Sequence, residues 1–211
     1  MKEHPILFSG EMVRAILEGQ KTQTRRIGRM PILYYWPDTQ TMLVKRNKFW
    51  EEAILAYPEE YAPYGQPGDR LWVRETWVPE GDVGAVWFRA GIPEYRCGQQ
   101  TGAWLNWPYK PEMGIEPPAK VKWRPSIHMP RWASRITLEV TGVRIQRVQE
   151  ISFQDCLAEG FEDGKAWGPP KLFSWAWDAI YAERGLGWDA NPWVWVVDFR
   201  ELRGDVRGAG E

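Results

Sequence analysis

Four short stretches of the chain gather residues able to do chemistry. Gly19 to Arg26 sets Lys21, Arg25 and Arg26 beside the hydroxyls of Thr22 and Thr24 in about one turn of chain. Such a cluster can hold an anion, or supply a nucleophile with a cation beside it. The plainer reading is stronger on residue type alone: cations just past a helix C-terminus are favoured by the macrodipole by ~0.3–1 kcal/mol each. Asp155 to Gly160 places Glu159 in the last turn before a glycine. A carboxylate there faces the negative end of the helix, which is mildly unfavourable, so it is either a solvated glutamate or kept for another reason. Gly68 to Trp77 carries Trp72, Arg74, Glu75 and Trp77 on a turn and strand, with Arg74 and Glu75 on opposite faces. One of these can line a cavity while the other meets solvent. Trp123 to Trp132 holds arginine beside tryptophan between two prolines, either a platform for a base and a phosphate or a stiff lid on the core.

Several engines are missing. There is no GxGxxG, GxxxxGK[ST] or GxSxG, which removes dinucleotide, P-loop and α/β-hydrolase readings. Two histidines and two cysteines, without CxxC or HExxH, leave no zinc motif and no disulfide framework, so neither metal nor cofactor is expected. Asp38 and Lys45 have the look of a nuclease signature, but Leu43 stands where an acid is needed.

The elements that must position these groups fit one domain. A chain of 211 residues with 26% charged and 44% hydrophobic residues is globular, and a net charge of -1 makes any nucleic-acid contact local. With neither a signal-peptide core nor an apolar run of membrane length, the expectation is a cytoplasmic protein with no membrane partner. Pro5 to Phe8 reads as a strand, and Ser9 caps a helix that ends at Gly19. Residues 20–29 read as a basic loop, and Lys48 to Ala56 as a short helix. A strand follows the Gly65 to Asp69 turn. Residues 79–123, rich in Gly, Pro and Trp, read as an insertion with one strand at Ala85 to Arg89. Ile136, Leu138 and Val140 alternate, Gly142 marks a bulge, and Val143, Ile145 and Val148 resume the alternation on a second strand of a long bent ribbon. Ser152 opens a short helix that stops at Gly160, Lys171 to Glu183 forms another, and Trp193 to Phe199 is a strand buried on both faces. Residues 203–211 read as a disordered tail. The pattern predicts an α+β domain over 1–202 with a small, partly closed barrel.

Taken together, Ile16 to Arg26, Pro67 to Glu75, Ala158-Glu159-Gly160 and Trp193 to Phe199 resemble an ASCH domain, a branch of the PUA-like superfamily. The stretch Trp123 to Ile136 is similar to the longer form encoded by phages and prophages. The resemblance implies a small β-barrel with flanking helices and an association with RNA. One branch of the family removes the acetyl group of N4-acetylcytidine with a lysine, a threonine and a glutamate, which match Lys21, Thr24 and Glu159.

The resemblance thus implies an amidohydrolase acting on a modified nucleoside or RNA. Thr24 attacks or orients water, Lys21 is base or electrostatic stabiliser, and Glu159 moves the proton to the leaving amine. Arg25, Arg26, Trp72, Arg74, Glu75 and Trp77 are the expected substrate contacts, with Trp72 or Trp77 stacking on the pyrimidine. The alternatives are a noncatalytic RNA-binding module gripping backbone through Lys21, Arg25, Arg26 and the Trp-Arg loops, a ribonuclease, and a phage accessory protein that binds another protein through the aromatic insertion. The catalytic residues are expected near the surface of one pocket, where substitution leaves stability almost unchanged. Oligomeric state is not legible.

Overall fold

The computed structural model describes residues 1–27, 33–36, 41–46, 49–52, 62–80, 85–89, 94–98, 104–108, 122–163 and 167–202. Its strands are β1 (Glu3–Leu7), β2 (Gln23–Arg26), β3 (Leu33–Trp36), β4 (Thr41–Arg46), β5 (Phe49–Glu52), β6 (Arg70–Arg74), β7 (Trp77–Glu80), β8 (Ala85–Phe88), β9 (Glu94–Gly98), β10 (Trp104–Pro108), β11 (Thr137–Arg147) and β12 (Trp193–Glu201). The helices are α1 (Gly10–Leu17), α2 (Phe153–Ala158) and α3 (Pro169–Tyr181). The architecture is α+β.

The central sheet has the order β1-β6-β11-β12-β2, with β1 parallel to β6 and the other pairs antiparallel. Among the described residues the sheet is open, and closure into a barrel is not shown. A closed barrel needs backbone pairing between the edge strands β1 and β2. Instead a side chain spans from one to the other: Arg26 Nη2 donates to the Leu7 carbonyl at 2.5 Å.

Alternation along β12 accounts for its burial on both faces. Val197 and Phe199 face a core with Ile6, Phe8, Val13, Leu71 and Leu138, under α1. Val194 and Val196 face the opposite core with Cys156, Phe173, Trp177 and Tyr181, under α2 and α3. The ribbon read from Ile136 to Val148 is one strand, β11, whose register against β12 shifts between Val140 and Gly142, where the bulge is expected. Ser9 and Ser152 cap α1 and α2 as their sequence predicts, each accepting from a backbone N–H of the first turn. Prolines in the first turn start α3 two residues early.

Three expectations are corrected. Residues 23–26 of the basic loop form β2, because Thr24 and Arg25 find a ladder on Val197 and Val196. Phe49–Glu52 is a strand paired with β4 and not helix, consistent with the strand preference of Phe and Trp; residues 53–56 of the expected helix lie outside the described residues. The 79–123 stretch holds more strand than the one expected: β7 pairs with β8 and β9 with β10, short runs that Gly and Pro hide from pattern. Residues 203–211 lie outside the described residues.

Candidate active site

Three backbone arrangements bring Lys21 and Glu159 together. The chain leaving α1 folds back so that Gln20 N and Lys21 N both donate to the Ala15 carbonyl. α2 ends at Glu159, and Gly160 turns the chain with φ 93°. A side chain at Gly160 would put its Cβ 3.1 Å from Ala15 Cβ, so only glycine lets the two turns close on each other. Thr22 N then donates to Ala158 O, and Lys21 and Glu159 face each other as an isolated bridge.

The side chains follow. Lys21 Nζ donates to Glu159 Oε2 at 2.6 Å and to the Glu159 carbonyl at 2.9 Å. It thereby neutralises both the carboxylate and the C-terminus of α2, which removes the helix-dipole objection to a glutamate there. Both residues are buried, Lys21 at 2% and Glu159 at 6% exposure. Burial pushes the Lys21 ammonium below its usual pKa, and the charge and hydrogen bond of Glu159 offset only part of that.

A network extends from this pair across the sheet. Arg25 reaches Glu159 Oε1 at 3.4 Å, Asp155 Oδ2 at 3.0 Å and Gln146 Oε1 at 3.3 Å, and donates to Gln23 Oε1. Arg144 holds Asp155 and Asp198 at 2.9 and 2.5 Å, and Gln23 Nε2 donates to the same two carboxylates. The cations Lys21, Arg25 and Arg144 thus balance the carboxylates of Glu159, Asp155 and Asp198. Burial acts to raise the Asp155 pKa, but hydrogen bonds from Gln23 and Ser152 and the charge of Arg25 outweigh it and hold the carboxyl at about 2.

A cleft opens along the edge strand β2, between α1 and α3. Thr24, Arg25, Arg26 and Glu159 line it, facing Met12 from α1 and Phe173, Trp177 and Ile180 from α3. Its interior is about 30 Å³, room for little more than a pair of waters, and the rest is open mouth. Lys21 does not line it and sits behind Glu159. Thr24 is buried at 1%, and its hydroxyl makes no hydrogen bond among the described residues. Arg25 Nε is a buried donor likewise without a partner among them.

Of the residues singled out from sequence, Lys21, Thr24, Arg25, Arg26 and Glu159 converge here, and Trp72, Arg74, Glu75 and Trp77 do not. β6 lies three strands from β2, roughly 14 Å at the usual strand spacing. The latter four build a separate cluster. Arg74 covers the Trp72 ring at 4.6 Å, Glu75 takes both arms of Arg135 at 2.9 and 3.1 Å, and Trp77 is 2% exposed in a core with Val86, Phe88 and Met129. Of the three catalytic candidates expected at the surface of one pocket, Thr24 and Glu159 line the cleft and Lys21 sits behind it, and all three are buried.

Gln23, Gln146, Arg144 and Asp198 do not stand out in the sequence. They meet only through the β2–β12–β11 register, although period-2 alternation from Arg25 would put Gln23 on its face. Among the described residues no group of three or more His, Cys, Asp or Glu is arranged to hold a metal ion, and no helix is long and apolar enough to cross a membrane.

No family model matches the chain, and no curated protein matches it. Among solved structures it is similar to an ASCH domain from Lactobacillus crispatus JV V101, with 13% identity and a TM-score of 0.38 over 95% of this chain and 79% of that one.

Proposed function

We propose that the chain is an ASCH-like amidohydrolase that removes an N-acyl group from a modified cytidine at the β2 cleft. The observation that carries the reading is the buried Lys21–Glu159 pair at 2.6 Å, with Glu159 on the cleft wall beside the unbonded hydroxyl of Thr24. These are the three side chains to which the sequence resemblance attaches chemistry, and Glu159 is 138 residues from Lys21 along the chain.

In this reading the Thr24 hydroxyl, or a water it orients, adds to the acyl carbon. Glu159 accepts the proton that is released, with Lys21 behind it sharing the charge. The proton passes to N4 as the C–N bond breaks and the amine leaves; where Thr24 has attacked, a water then adds to the acyl ester left on its oxygen, giving a proton to Glu159 that returns to the Thr24 oxygen as the ester bond breaks, so that either route consumes one water and releases a carboxylic acid and a free amine. Arg25 Nε supplies a donor to the developing oxyanion. The apolar rings of Phe173 and Trp177 exclude water on the far wall. A nucleoside needs more room than the cleft interior offers, so it lies across the open mouth with only its acyl group inserted.

The backbone-gripping alternative is less well supported at this position. Lys21 and Arg25 are buried and committed to carboxylates, which leaves Arg26 as the cation of the motif with side-chain surface to offer. We further read residues 1–202 as one unit. The test is mass spectrometry of N4-acylated cytidines, free and within RNA, after incubation with wild type and Glu159→Gln. Conversion to cytidine by wild type, and its loss in the variant, is expected.

A further inference from the structure

The wall that α3 gives to the β2 cleft has a pattern of sizes. Phe173, Ala176, Trp177, Ile180 and Tyr181 line the cleft, at the i, i+3, i+4, i+7 and i+8 positions of one helix face. All are large except Ala176, which stands one turn from Phe173 on one side and one turn from Ile180 on the other. Thr24 and Glu159 line the same cleft from β2 and the end of α2. A carbonyl with one methyl beyond it fills an interior of about 30 Å³.

The rings of this wall are held from behind. Phe173 meets Phe161 edge-on at 5.7 Å and Trp188 at 6.0 Å, and the Arg25 guanidinium lies over its ring at 6.0 Å. Trp177 donates its indole N–H to the Leu186 carbonyl at 2.9 Å and packs on Tyr181 at 4.4 Å. Both rings are buried. Rings packed on several sides do not swing aside for a longer chain, because overfilling a close-packed region costs about 1–3 kcal/mol. Ala176 is only half-buried, so its side chain alters the cleft with little effect on the core.

We propose that α3 is an acyl-length gauge: Ala176, backed by Phe173 and Trp177, admits a formyl or acetyl group to Thr24 and Glu159 and rejects propionyl, longer and aromatic acyl groups. The inference rests on the hydrolysis proposed for this cleft and adds which N-acyl group is removed. Ala176 and Phe173 act on specificity and take no part in the proton transfers. One methylene too many in an apolar pocket lowers kcat/KM by about 10- to 200-fold.

The test is release of cytidine from N4-formyl-, N4-acetyl-, N4-propionyl-, N4-butyryl- and N4-benzoylcytidine by the full chain. Each kcat/KM is divided by the rate of hydroxide-catalysed hydrolysis of the same compound, so that intrinsic reactivity cancels. Wild type should fall by about 10- to 200-fold from acetyl to propionyl. Ala176→Leu, which fills the gap in the wall, should lower acetyl turnover at least about tenfold more than formyl turnover. Phe173→Leu, which cuts back the ring behind it, should raise propionyl relative to acetyl by at least about tenfold. These are ratios within one variant, so a loss of folded protein lowers both rates and leaves the ratio where it was. Trp175→Ala, on α3 but exposed and not lining the cleft, should keep the wild-type ratios. Equal normalised rates on acetyl and butyryl in wild type, or wild-type ratios in Ala176→Leu, overturn the gauge and leave the hydrolase reading standing. Release from none of the five compounds overturns both.

Discussion

Lys21 is held by one carboxylate oxygen and one helix-terminal carbonyl in a buried site, and this decides what substitution does there. Removing one member of a buried ion pair leaves the other uncompensated, at a cost of about 3–5 kcal/mol. We therefore expect Lys21→Ala to lower unfolding stability by that amount. Lys21→Met with Glu159→Leu should cost clearly less than the two single changes together, because both charges go at once. Urea denaturation of the four proteins of the cycle measures it. The pH dependence has a definite sign. Lys21 titrates below 10.5 in the folded protein, so the unfolded chain binds more protons in the window just under 10.5 and stability from this group rises with pH there. Lys21→Met should lose that rise relative to wild type. Asp155 works at the acid end. Its folded pKa of about 2 lies below its ordinary 3.8, so its contribution is full above 3.8 and disappears as pH falls through 2. A shift of this size corresponds to roughly 2 kcal/mol. Asp155→Asn should flatten the acid limb of the stability profile by that much.

At the scale of elements, the site depends on two helices ending at the same place. α1 ends by folding Gln20 and Lys21 back onto Ala15, and Gly160, just past the Glu159 cap of α2, lies against the same alanine. Gly160→Ala forces a side chain into a positive-φ position and against Ala15, and should destabilise by about 1–3 kcal/mol. It should also cut activity more than its stability loss explains, because it spreads the Lys21–Glu159 contact; thermal melts and initial rates on the same samples separate the two effects. The ends of α1 and α2 are legible from Ser9, Ser152, Gly19 and Gly160, since capping is local chemistry. β2 is not legible, because nothing within Gln23–Arg26 announces a strand until β12 offers it an edge. β9 and β10 are hidden for a similar reason, being five-residue runs whose pairing depends on each other.

For the whole molecule, the sheet order and the two-sided burial of β12 set the geometry that local signals could not. Hydrophobic alternation marks β11, its bulge and β12 correctly, because a strand buried on one or both faces imprints its period on the sequence. Closure into a barrel is not imprinted in that way. It depends on whether β1 and β2 meet, and here Arg26 and the Leu7 carbonyl bridge them without a ladder. The site is legible in part. The Lys21, Thr24 and Glu159 motifs are short and local, but the Arg25–Asp155–Arg144–Asp198 network behind them exists only in three dimensions, across strands far apart in the chain. Residue type suggests a stacking platform at Trp72 and Trp77, yet β6 and β7 direct them into other clusters. Hydrolysis of an acylated cytidine by this arrangement is read by turnover of N4-acetylcytidine in ¹⁸O-labelled water, followed by mass spectrometry. Wild type should yield cytidine and labelled acetate, and Glu159→Gln, folded by circular dichroism, should be slower by about 100- to 10,000-fold. No turnover by wild type, or an undiminished rate in Glu159→Gln, would contradict it.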